Sequence, residues 1–425
     1  MRVLIYGNGG REHALLWKLA QSKLVEKVFT VNPNPLMEPL GEALYPRDFK
    51  DLARLALKKG ISLAVIGPEN PLAEGIADTL EESGISTFGP HQKFTWLEAS
   101  KVRAKEFNFA HSIPCARSLP VASLVEARSA LANFSPPFVI KADGLAGGKG
   151  VLIAEKEDAA LKIIEDMLKG KFGEASKRLL IEEYLKGEEL SLICLYDGKT
   201  LVPMDYVRDH KRLFDFDRGP NTGGMGAFSP VDLRKEMKRS ITDLISRLSQ
   251  ALKKEGVSYK GALYLGLMLT EEGAKVLEYN VRFGDPETQA LMVRLENDLG
   301  EVLLKVMEGK AEEIELKWGD PAIALVIASC GYPFSPQIGV EIGDFDSLAW
   351  ELKVTVFGGA LSAGPLKNAQ HFLRVPNRNG KLFSSGGRVL TVVATGSDAH
   401  LRTLEFARRL KFESKFYRTD IGGRT

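Results

Sequence analysis

Short apolar runs alternate with amphipathic stretches over the first 90 residues. The runs at 3–6, 28–31 and 63–66 have the length of buried strands, and the stretch at 49–59 has apolar residues at helical spacing. Alternation of strand and helix is typical of a parallel sheet with helices on its faces. The pattern therefore predicts a small doubly wound parallel sheet through about residue 90.

Beyond residue 100 the pattern is typical of a mixed α+β structure. Two apolar runs, FVIK at 138–141 and VLIA at 151–154, flank a glycine loop and predict a hairpin. Further helices are predicted at 100–109 and 157–169, and strands at 179–182, 190–195, 263–269 and 276–280. A charged segment at 310–321 separates this part from a third unit with strands at 323–329 and 389–394 and a helix at 398–410. We expect three domains, at 1–99, 100–315 and 322–425.

Composition excludes several classes of protein. The 425 residues are 44% hydrophobic and 26% charged, with a net charge of +2, so no bulk field attracts nucleic acid or membranes. The three cysteines are far apart and form no CxxC pair, which disfavours disulfides and structural zinc. The first apolar run breaks at Gly7, and no run approaches the roughly 18 residues of a membrane span. We expect a cytoplasmic protein.

The segment VLEYNVRFGDPETQ at 276–289 carries the most specific chemistry. Glu278 and Asn280 are two apart on a predicted strand, so both side chains point to one face, and Arg282 follows them. A carboxylate, a carboxamide and a guanidinium suit Mg²⁺ together with a phosphate. The segment predicts a Mg-phosphate site; the alternative is an exposed strand end with a solvated arginine.

The loop KADGLAGGKG at 141–150 predicts a phosphate lid. Its glycines, Gly144, Gly147, Gly148 and Gly150, allow backbone N–H groups to approach phosphate oxygens, between the charges of Lys141 and Lys149. A P-loop would open a helix after Lys149, whereas Gly150 and a β-type run follow. A hairpin lid over a triphosphate fits better, with a simple turn carrying incidental lysines as the alternative.

Two further segments suggest small-molecule contacts. In LLIEEYLKGEELS at 179–191, Glu182, Tyr184 and Leu185 could frame an adenine base and Glu189 a ribose, although a strand followed by acidic turn residues is common. The run GPNTGGMGAFSP at 219–230 has the bare backbone that suits a small zwitterion or anion. His210, just upstream, is more often a surface or supporting group than a base.

The turn GNGGREH at 7–13 follows a strand and opens a helix, which makes its N–H groups an anion site. A dinucleotide fingerprint needs glycine where Glu12 stands and an acid where Asn32 stands, so NAD is disfavoured. A smaller phosphate-bearing or polar substrate fits this turn better. Glu69, at the end of a neighbouring strand, could accept hydrogen bonds from sugar hydroxyls.

In this order the motifs resemble those of the ATP-grasp ligases, and within them the phosphoribosylamine–glycine ligase family. The resemblance runs through nearly the whole chain, and GPNTGGMGA followed by RFGDPE is its most specific part. The matching motifs are GNGGREHA, GPExPL, IKADGLAxGKGV, IEEYLxGEExS, GPNTGGMGA, ExNxRFGDPExQ, SGGRVL and the tail YRTDIGGR at 417–424.

The resemblance implies a fold and a reaction. The fold would combine a Rossmann-like PreATP-grasp domain, a two-lobed ATP-grasp core with its hairpin lid at 138–154, and a small C-terminal α+β domain that completes the sugar-phosphate site. The reaction would use ATP and Mg²⁺ or Mn²⁺ to ligate glycine to 5-phosphoribosylamine through glycyl phosphate, in purine biosynthesis. We expect a monomer acting on small molecules, without nucleic acid or membrane partners.

Carried over by position, the resemblance also implies roles for individual residues. Glu278 and Asn280 would bind the metal, and Arg282 would face the transferring phosphoryl group. The implied ATP contacts are Lys101, Lys141, Gly144, Gly147, Gly148, Lys149, Glu182, Tyr184, Leu185 and Glu189. The implied substrate contacts are Gly9, Gly10, Glu12, Glu69, Asn221, Gly223, Gly224, Asp285 and Arg388.

The chain departs from the family pattern near the expected sugar-phosphate site. It has NPNPLMEPL in place of PGNxGT, keeping Asn34, and FGGALSAG at 357–364 in place of an FHAGT-like element. The strand at 263–269 also lacks the additional acid of many ATP-grasp sites, which leaves the number of metal ions open. The alternatives are a carboxylate–amine ligase of the purine-carboxylase or biotin-carboxylase type, a nucleotide-sensing binding protein, and a Rossmann oxidoreductase.

Overall fold

The computed structural model describes residues 1–147, 149–364 and 380–423. The N-terminal strands are β1 (Arg2–Tyr6), β2 (Lys27–Val31), β3 (Glu42–Leu44), β4 (Leu63–Ile66) and β5 (Ser86–Phe88). The helices among and after them are α1 (Gly10–Leu19), α2 (Phe49–Lys58), α3 (Glu69–Ala73), α4 (Ile76–Glu82) and α5 (Trp96–Ala99). All five strands are parallel, in the order β3-β2-β1-β4-β5. The predicted Rossmann-like sheet is confirmed.

The next segment forms a smaller lobe around a four-stranded antiparallel sheet of order β6-β9-β7-β8. Its elements are α6 (Lys101–Ala110), β6 (Ser118–Val121), α7 (Leu124–Leu131), β7 (Phe138–Ala142), β8 (Val151–Ala154), α8 (Glu157–Asp166) and β9 (Leu179–Glu183). Strands β7 and β8 make the predicted hairpin. The helix predicted at 157–169 ends earlier, because the chain leaves α8 through a widened turn in which Gly170 has a φ of 99°.

A larger lobe follows, built on the antiparallel sheet β11-β10-β16-β17. Its strands are β10 (Glu188–Tyr196), β11 (Leu201–Pro203), β12 (Arg208–Asp209), β13 (Arg212–Phe214), β14 (Arg218–Asn221), β15 (Gly226–Ser229), β16 (Gly261–Thr270) and β17 (Gly273–Asn280). Its helices are α9 (Lys235–Lys254), α10 (Glu287–Arg294) and α11 (Leu299–Met307). In α9 the buried residues Ile241, Leu244 and Leu248 recur every three or four positions, which buries one face of this long helix.

The C-terminal segment contributes most of a six-stranded sheet. Its strands are β18 (Ala322–Ser329), β19 (Glu341–Ile342), β20 (Thr355–Gly358), β21 (Leu361–Ser362), β22 (Leu382–Ser384), β23 (Arg388–Thr395) and β24 (Lys415–Phe416), and its helices are α12 (Asp346–Glu351) and α13 (Ala399–Arg409). Strands β12 and β15 join this sheet, in the order β12-β15-β18-β23-β20. The sheet therefore extends across the boundary expected near residue 320.

Contacts between distant segments hold the N-terminal sheet against the rest of the chain. The rings of Phe88 and Phe283 stack with centroids 5.7 Å apart. Nδ1 of His13, in α1, accepts a hydrogen bond of 2.8 Å from the backbone N–H of Gly358, at the end of β20. These contacts join the N-terminal sheet to the loop after β17 and to the C-terminal segment.

Candidate functional site

A cavity of about 840 Å³ opens where the β7–β8 hairpin, strand β17, the β13–β14 hairpin and the N-terminal sheet meet. Most of the side chains singled out from the sequence line it, although they come from positions more than 300 residues apart. The lining includes Glu69, Lys101, Lys141, Gly147, Glu182, Tyr184, Leu185, Glu189, Asn221, Gly223, Glu278, Asn280, Arg282, Asp285 and Arg388. Their individual roles stay predictions.

Six other predicted contacts lie outside this lining, within the described residues: Gly9, Gly10, Glu12, Gly144, Lys149 and Gly224. Gly148 lies outside the described residues. Gly144 packs against Ala175, which a Cβ at Gly144 would approach to 2.9 Å, and its carbonyl accepts a hydrogen bond of 3.2 Å from Nζ of Lys101. Gly144 thus packs within the lid and contacts Lys101, which is itself a predicted phosphate ligand.

Glu12 closes the turn that opens α1. Its carboxylate accepts a hydrogen bond of 2.9 Å from the N–H of Gly9 and pairs with Nε of Arg11 at 2.5 Å. A side chain at Gly67 would overlap this carboxylate, and Glu12 is only 2% exposed. Glu12 stands where a dinucleotide fingerprint has its third glycine, and its carboxylate binds the backbone at the start of its own helix. Glu12 does not line the cavity, and its predicted substrate contact stays a prediction.

Strand β17 presents the predicted metal ligands. Glu278 and Asn280 pair with Gly266 and Tyr264 of β16, and both line the cavity. A β-bulge beside them leaves the carbonyl of Leu277 to accept a hydrogen bond of 3.2 Å from Nζ of Lys141. The bulge thus places a lysine next to the carboxylate and the carboxamide.

Lys211 fixes the charge of Glu278. Its Nζ lies 3.3 Å from Oε1 of Glu278 and 3.5 Å from Oε2 of Glu189. Lys211, helped by Lys101 and Lys141, outweighs burial and lowers the pKa of Glu278 to about 2. Glu278 is therefore ionised at neutral pH, as a ligand for a divalent cation must be.

The donors at this position fit Mg²⁺. One ionised carboxylate and one carboxamide match a cation that takes few protein oxygens and completes its shell with water and phosphate. Among the described residues no three His, Cys, Asp or Glu side chains form a metal-binding group. Gly266 stands opposite Glu278, so the neighbouring strand adds no acid there. The residues present suit a cation shared with a phosphate rather than one enclosed by protein.

Two lysines share the carboxylate of Glu182. Oε2 lies 2.8 Å from Nζ of Lys141, and Oε1 lies 3.2 Å from Nζ of Lys105. Burial lowers the pKa of Lys105 and of Lys101. Lys105 was missed by the sequence analysis, although it follows Lys101 at the i+4 position of α6, and this spacing places both lysines on one helical face.

Two carboxylates hold the guanidinium of Arg282. Its Nε lies 2.8 Å from Oε2 of Glu69 and its Nη2 lies 3.1 Å from Oε1 of Glu98. Burial opposes the charge, but Glu98 and Glu69 outweigh it and raise the pKa of Arg282. Glu98, in the short helix α5, carried no signal in the sequence.

Arg388 fastens the glycine-rich run to the loop after β17. Its Nη1 donates to the carbonyls of Gly223 (2.6 Å) and Asp285 (2.7 Å), and its Nη2 donates to Oδ2 of Asp285 (3.2 Å). The N–H of Gly223 donates to the hydroxyl of Tyr332 at 2.9 Å. The C-terminal segment thus shapes the cavity wall with an arginine and a tyrosine.

Family models match nearly the whole chain. The N domain of phosphoribosylglycinamide synthetase matches residues 1–98, its ATP-grasp (A) domain residues 99–288, and its C domain residues 322–424. These matches follow the same order as the segments described above.

Full-length relatives carry one name. The chain is 40% identical to "Phosphoribosylamine--glycine ligase" of Halalkalibacterium halodurans, over 100% of this chain and 97% of that protein. It is 42% identical to the protein of the same name from Caulobacter vibrioides, over 100% of this chain and 98% of that protein.

Solved structures agree with this assignment. Phosphoribosylamine–glycine ligase of Thermotoga maritima matches with a TM-score of 0.82 and 35% identity, over 99% of this chain and 100% of that one. The biotin carboxylase domain of the Hydrogenobacter thermophilus 2-oxoglutarate carboxylase matches with a TM-score of 0.71 and 18% identity, over 98% of this chain and 91% of that one, and shows a shared fold. The chain belongs to the phosphoribosylamine–glycine ligase family.

Proposed function

We propose that this ATP-dependent ligase joins glycine to 5-phosphoribosylamine through a glycyl phosphate intermediate. The overall ligation, a carbon–nitrogen bond formed with ATP in purine biosynthesis, is the reaction for which the family is named. The intermediate follows from chemistry. A carboxylate is a poor electrophile, so it must gain a leaving group before an amine can displace it.

Two displacements complete the reaction. A carboxylate oxygen of glycine attacks the γ-phosphorus of ATP, forming an O–P bond while the bond to the β-phosphate oxygen breaks and ADP leaves. The amino nitrogen of phosphoribosylamine then attacks the carbonyl carbon, the carbon–oxygen bond to phosphate breaks, and the nitrogen loses a proton. An amine that arrives neutral needs no strong base. Catalysis is then mostly positioning and neutralisation of phosphate charge.

The observation that carries this proposal is the convergence of Glu278, Asn280, Arg282 and Lys141 on one cavity. Glu278 and Asn280 would hold Mg²⁺ or Mn²⁺, which would neutralise phosphate oxygens when bound. The related fold of the 2-oxoglutarate carboxylase domain is described in complex with MgADP. Arg282 and Lys141 supply fixed positive charge beside these two ligands.

The remaining predicted contacts would divide the cavity between nucleotide and sugar. Tyr184 and Leu185 follow β9 and would frame the adenine, with Glu189 at the ribose. Glu69 and Asp285, which also line the cavity, would meet the sugar of phosphoribosylamine. The expected monomer and cytoplasmic location stay predictions. None of the helices in the described part of the chain has both the length and the hydropathy of a membrane span.

Oxygen transfer tests the intermediate. With glycine labelled by ¹⁸O in its carboxylate, attack on the γ-phosphorus leaves one labelled oxygen in the inorganic phosphate released by each turnover. Label in AMP would instead show an adenylate and would overturn the proposal. Unlabelled phosphate and unlabelled AMP would show that glycine's oxygen never reaches phosphorus, with the same consequence.

The carboxylase-type alternative concerns the acid substrate. The sequence identity to the biotin carboxylase domain is 18%, so that similarity concerns the fold alone. Phosphate release measured with bicarbonate or formate in place of glycine distinguishes the two reactions, and we expect release with glycine only.

A further inference from the structure

The β13–β14 hairpin contributes to the cavity wall and depends on support from elsewhere in the chain. Its strands form a two-stranded sheet of their own, with an irregular register between Arg212 and Phe214. A two-stranded hairpin by itself is marginally stable in water at best. Lys211, just before β13, and Asn221, at the end of β14, both line the cavity. The contacts that hold this hairpin therefore also hold part of the cavity wall.

The turn of the hairpin has an unfavourable backbone conformation. Phe216 and Asp217 have φ angles of 59° and 50°, in the left-handed region. Aspartate tolerates this region, but a bulky residue there is an outlier, and it persists only where surrounding contacts impose it. The ring of Phe216 is 71% exposed, so burial of the side chain does not impose this conformation.

A buried arginine of the C-terminal tail, which begins at residue 417, holds this turn. Nη1 of Arg418 donates to Oδ1 of Asp217 at 2.8 Å and to the carbonyl of Arg212 at 3.0 Å. Asp420 fixes the guanidinium by accepting from its Nε at 2.7 Å and from its Nη2 at 2.6 Å. Charge-assisted bonds of this kind are among the strongest hydrogen bonds in proteins. Arg418 thus ties the start of β13 to the turn.

The neighbours of Arg418 bind the rest of the turn. The backbone N–H of Phe216 donates to Oδ2 of Asp420 at 2.8 Å. The N–H of Thr419 donates to Oδ1 of Asp215 at 2.8 Å, and its hydroxyl donates to the other oxygen of that carboxylate. Each of the residues 215–217 is therefore bonded to the tail.

The hairpin carries this constraint into the cavity. The N–H and the hydroxyl of Thr222, just after β14, donate to the carbonyl of Lys211 at 2.7 and 2.9 Å and close the open end of the hairpin. There Nζ of Lys211 lies 3.3 Å from Glu278 and 3.5 Å from Glu189. A hairpin held at both ends fixes the place of this lysine between two carboxylates of other strands.

We propose that Arg418 is a positioning residue, which fixes the cavity wall by holding the β13–β14 turn in its left-handed conformation. Arg418, Thr419 and Asp420, all within the described residues, lie outside the cavity lining, so the tail acts through the hairpin. This inference rests on the proposed function, since the wall serves the ligation. The predicted phosphate contacts Lys101 and Lys141 belong to α6 and β7, so ATP binding does not depend on the tail.

Substitution of Arg418 tests this role. For Arg418→Gln we expect kcat/KM for glycine to fall on the order of 10-fold, the factor that corresponds to the cost of one left-handed residue. The Kd for ATP should stay within about 2-fold, as expected for a distant and independent site. Arg402→Gln is the matched control, because it removes another arginine of the C-terminal segment, which binds the carbonyls of Leu352 and Lys353. It should change kcat/KM by less than about 2-fold.

Relief of the turn separates positioning from a general loss of stability. Glycine adopts a positive φ without steric cost, so Arg418→Gln/Phe216→Gly should regain about 3-fold or more of the lost kcat/KM. Phe216→Gly alone should stay within about 2-fold of the unchanged protein, because the tail still holds the turn. Circular dichroism and the stoichiometry of ATP binding count the folded protein in every variant, so a smaller folded fraction does not enter these values.

The milder variant Thr419→Val removes one hydroxyl bond to Asp215 and decides the matter if Arg418→Gln does not fold. We expect its kcat/KM for glycine to fall about 3-fold.

Unchanged kcat/KM in both tail variants overturns the proposal. So does a loss in Arg418→Gln that Phe216→Gly does not relieve, which would place the effect of the tail outside the turn. An equal loss in Arg402→Gln would assign the effect to a weakened C-terminal segment, with the same consequence. If the unchanged enzyme shows no glycine-dependent turnover, the proposed function itself fails.

Discussion

Arg282 has two expected effects, on stability and on turnover, that one pair of variants can separate. In Arg282→Met, Glu98 and Glu69 lose their shared partner. Glu98 dominates the effect, because its side chain is 6% exposed whereas that of Glu69 is 27% exposed. Removing one partner of a buried ion pair destabilises a protein by about 3–5 kcal/mol. We expect a loss near the lower end, about 3 kcal/mol, because the N–H of Val281 still donates to Glu98 at 2.8 Å.

The pH dependence of this loss identifies its cause. Burial already raises the pKa of Glu98, and without Arg282 this pKa rises further. A carboxyl group whose pKa is higher in the folded than in the unfolded protein destabilises the fold above that pKa, and the penalty is relieved as the pH falls through it. The free energy of urea unfolding for Arg282→Met should therefore approach that of the unchanged protein as the pH is lowered from 7 to 5.

The double variant Arg282→Met/Glu98→Gln is the control. It removes the orphaned charge, so it should regain most of the lost stability and still bind ATP. Its turnover should remain lower by on the order of 100–1000-fold, the usual effect of removing one preorganised donor to transition-state charge. Near-normal turnover in the double variant would refute the proposed role at the phosphoryl group. A stability loss below about 1 kcal/mol in the single variant would refute the ion-pair reasoning.

Three further predictions concern other parts of the molecule. Glu278→Gln should raise the Mg²⁺ concentration needed for activity, and an unchanged metal titration would exclude the carboxylate as a ligand. Burial lowers the pKa of His13 from 6.5 to about 4, so protonation of the unfolded chain should reduce stability by roughly 3 kcal/mol as the pH falls from 6.5 to 4. In His13→Gln the free energy of urea unfolding should fall less over this pH range, because the variant has no imidazole to protonate. A fall as large as that of the unchanged protein would contradict the prediction. Arg418 is fully buried and binds Asp217 and Asp420, so Arg418→Gln should lower the unfolding free energy by about 3 kcal/mol, and an unchanged urea midpoint would contradict this.

Local patterns predicted much of the fold. Alternation of apolar runs and helical stretches was enough for the parallel N-terminal sheet, and the two apolar runs around the glycine loop were enough for the β7–β8 hairpin. The pairing of β15 with β18 was not predictable in this way, because it joins segments about 100 residues apart and depends on tertiary packing. The expected boundary near residue 320 stays a prediction, and what local patterns did not reveal is that one sheet extends across it.

The same distinction applies to the site. Glu278 and Asn280 were recognisable because their spacing along one strand determines a common face. Glu98 was not, because only the folded chain brings it to Arg282. The carboxylate of Glu12 accepts a hydrogen bond from the N–H of Gly9, which spacing alone did not reveal, and its predicted substrate contact stays a prediction.

The central claim is that the cavity couples ATP cleavage to the joining of glycine and phosphoribosylamine. The most direct test measures ADP, phosphate and glycinamide ribonucleotide with purified protein, ATP and Mg²⁺, glycine and freshly prepared phosphoribosylamine, omitting each substrate in turn. The account predicts one ADP, one phosphate and one ligated product per turnover, with product formed only when both cosubstrates are present. Steady ATP cleavage with bicarbonate in place of glycine, or no cleavage with the complete mixture, would contradict it.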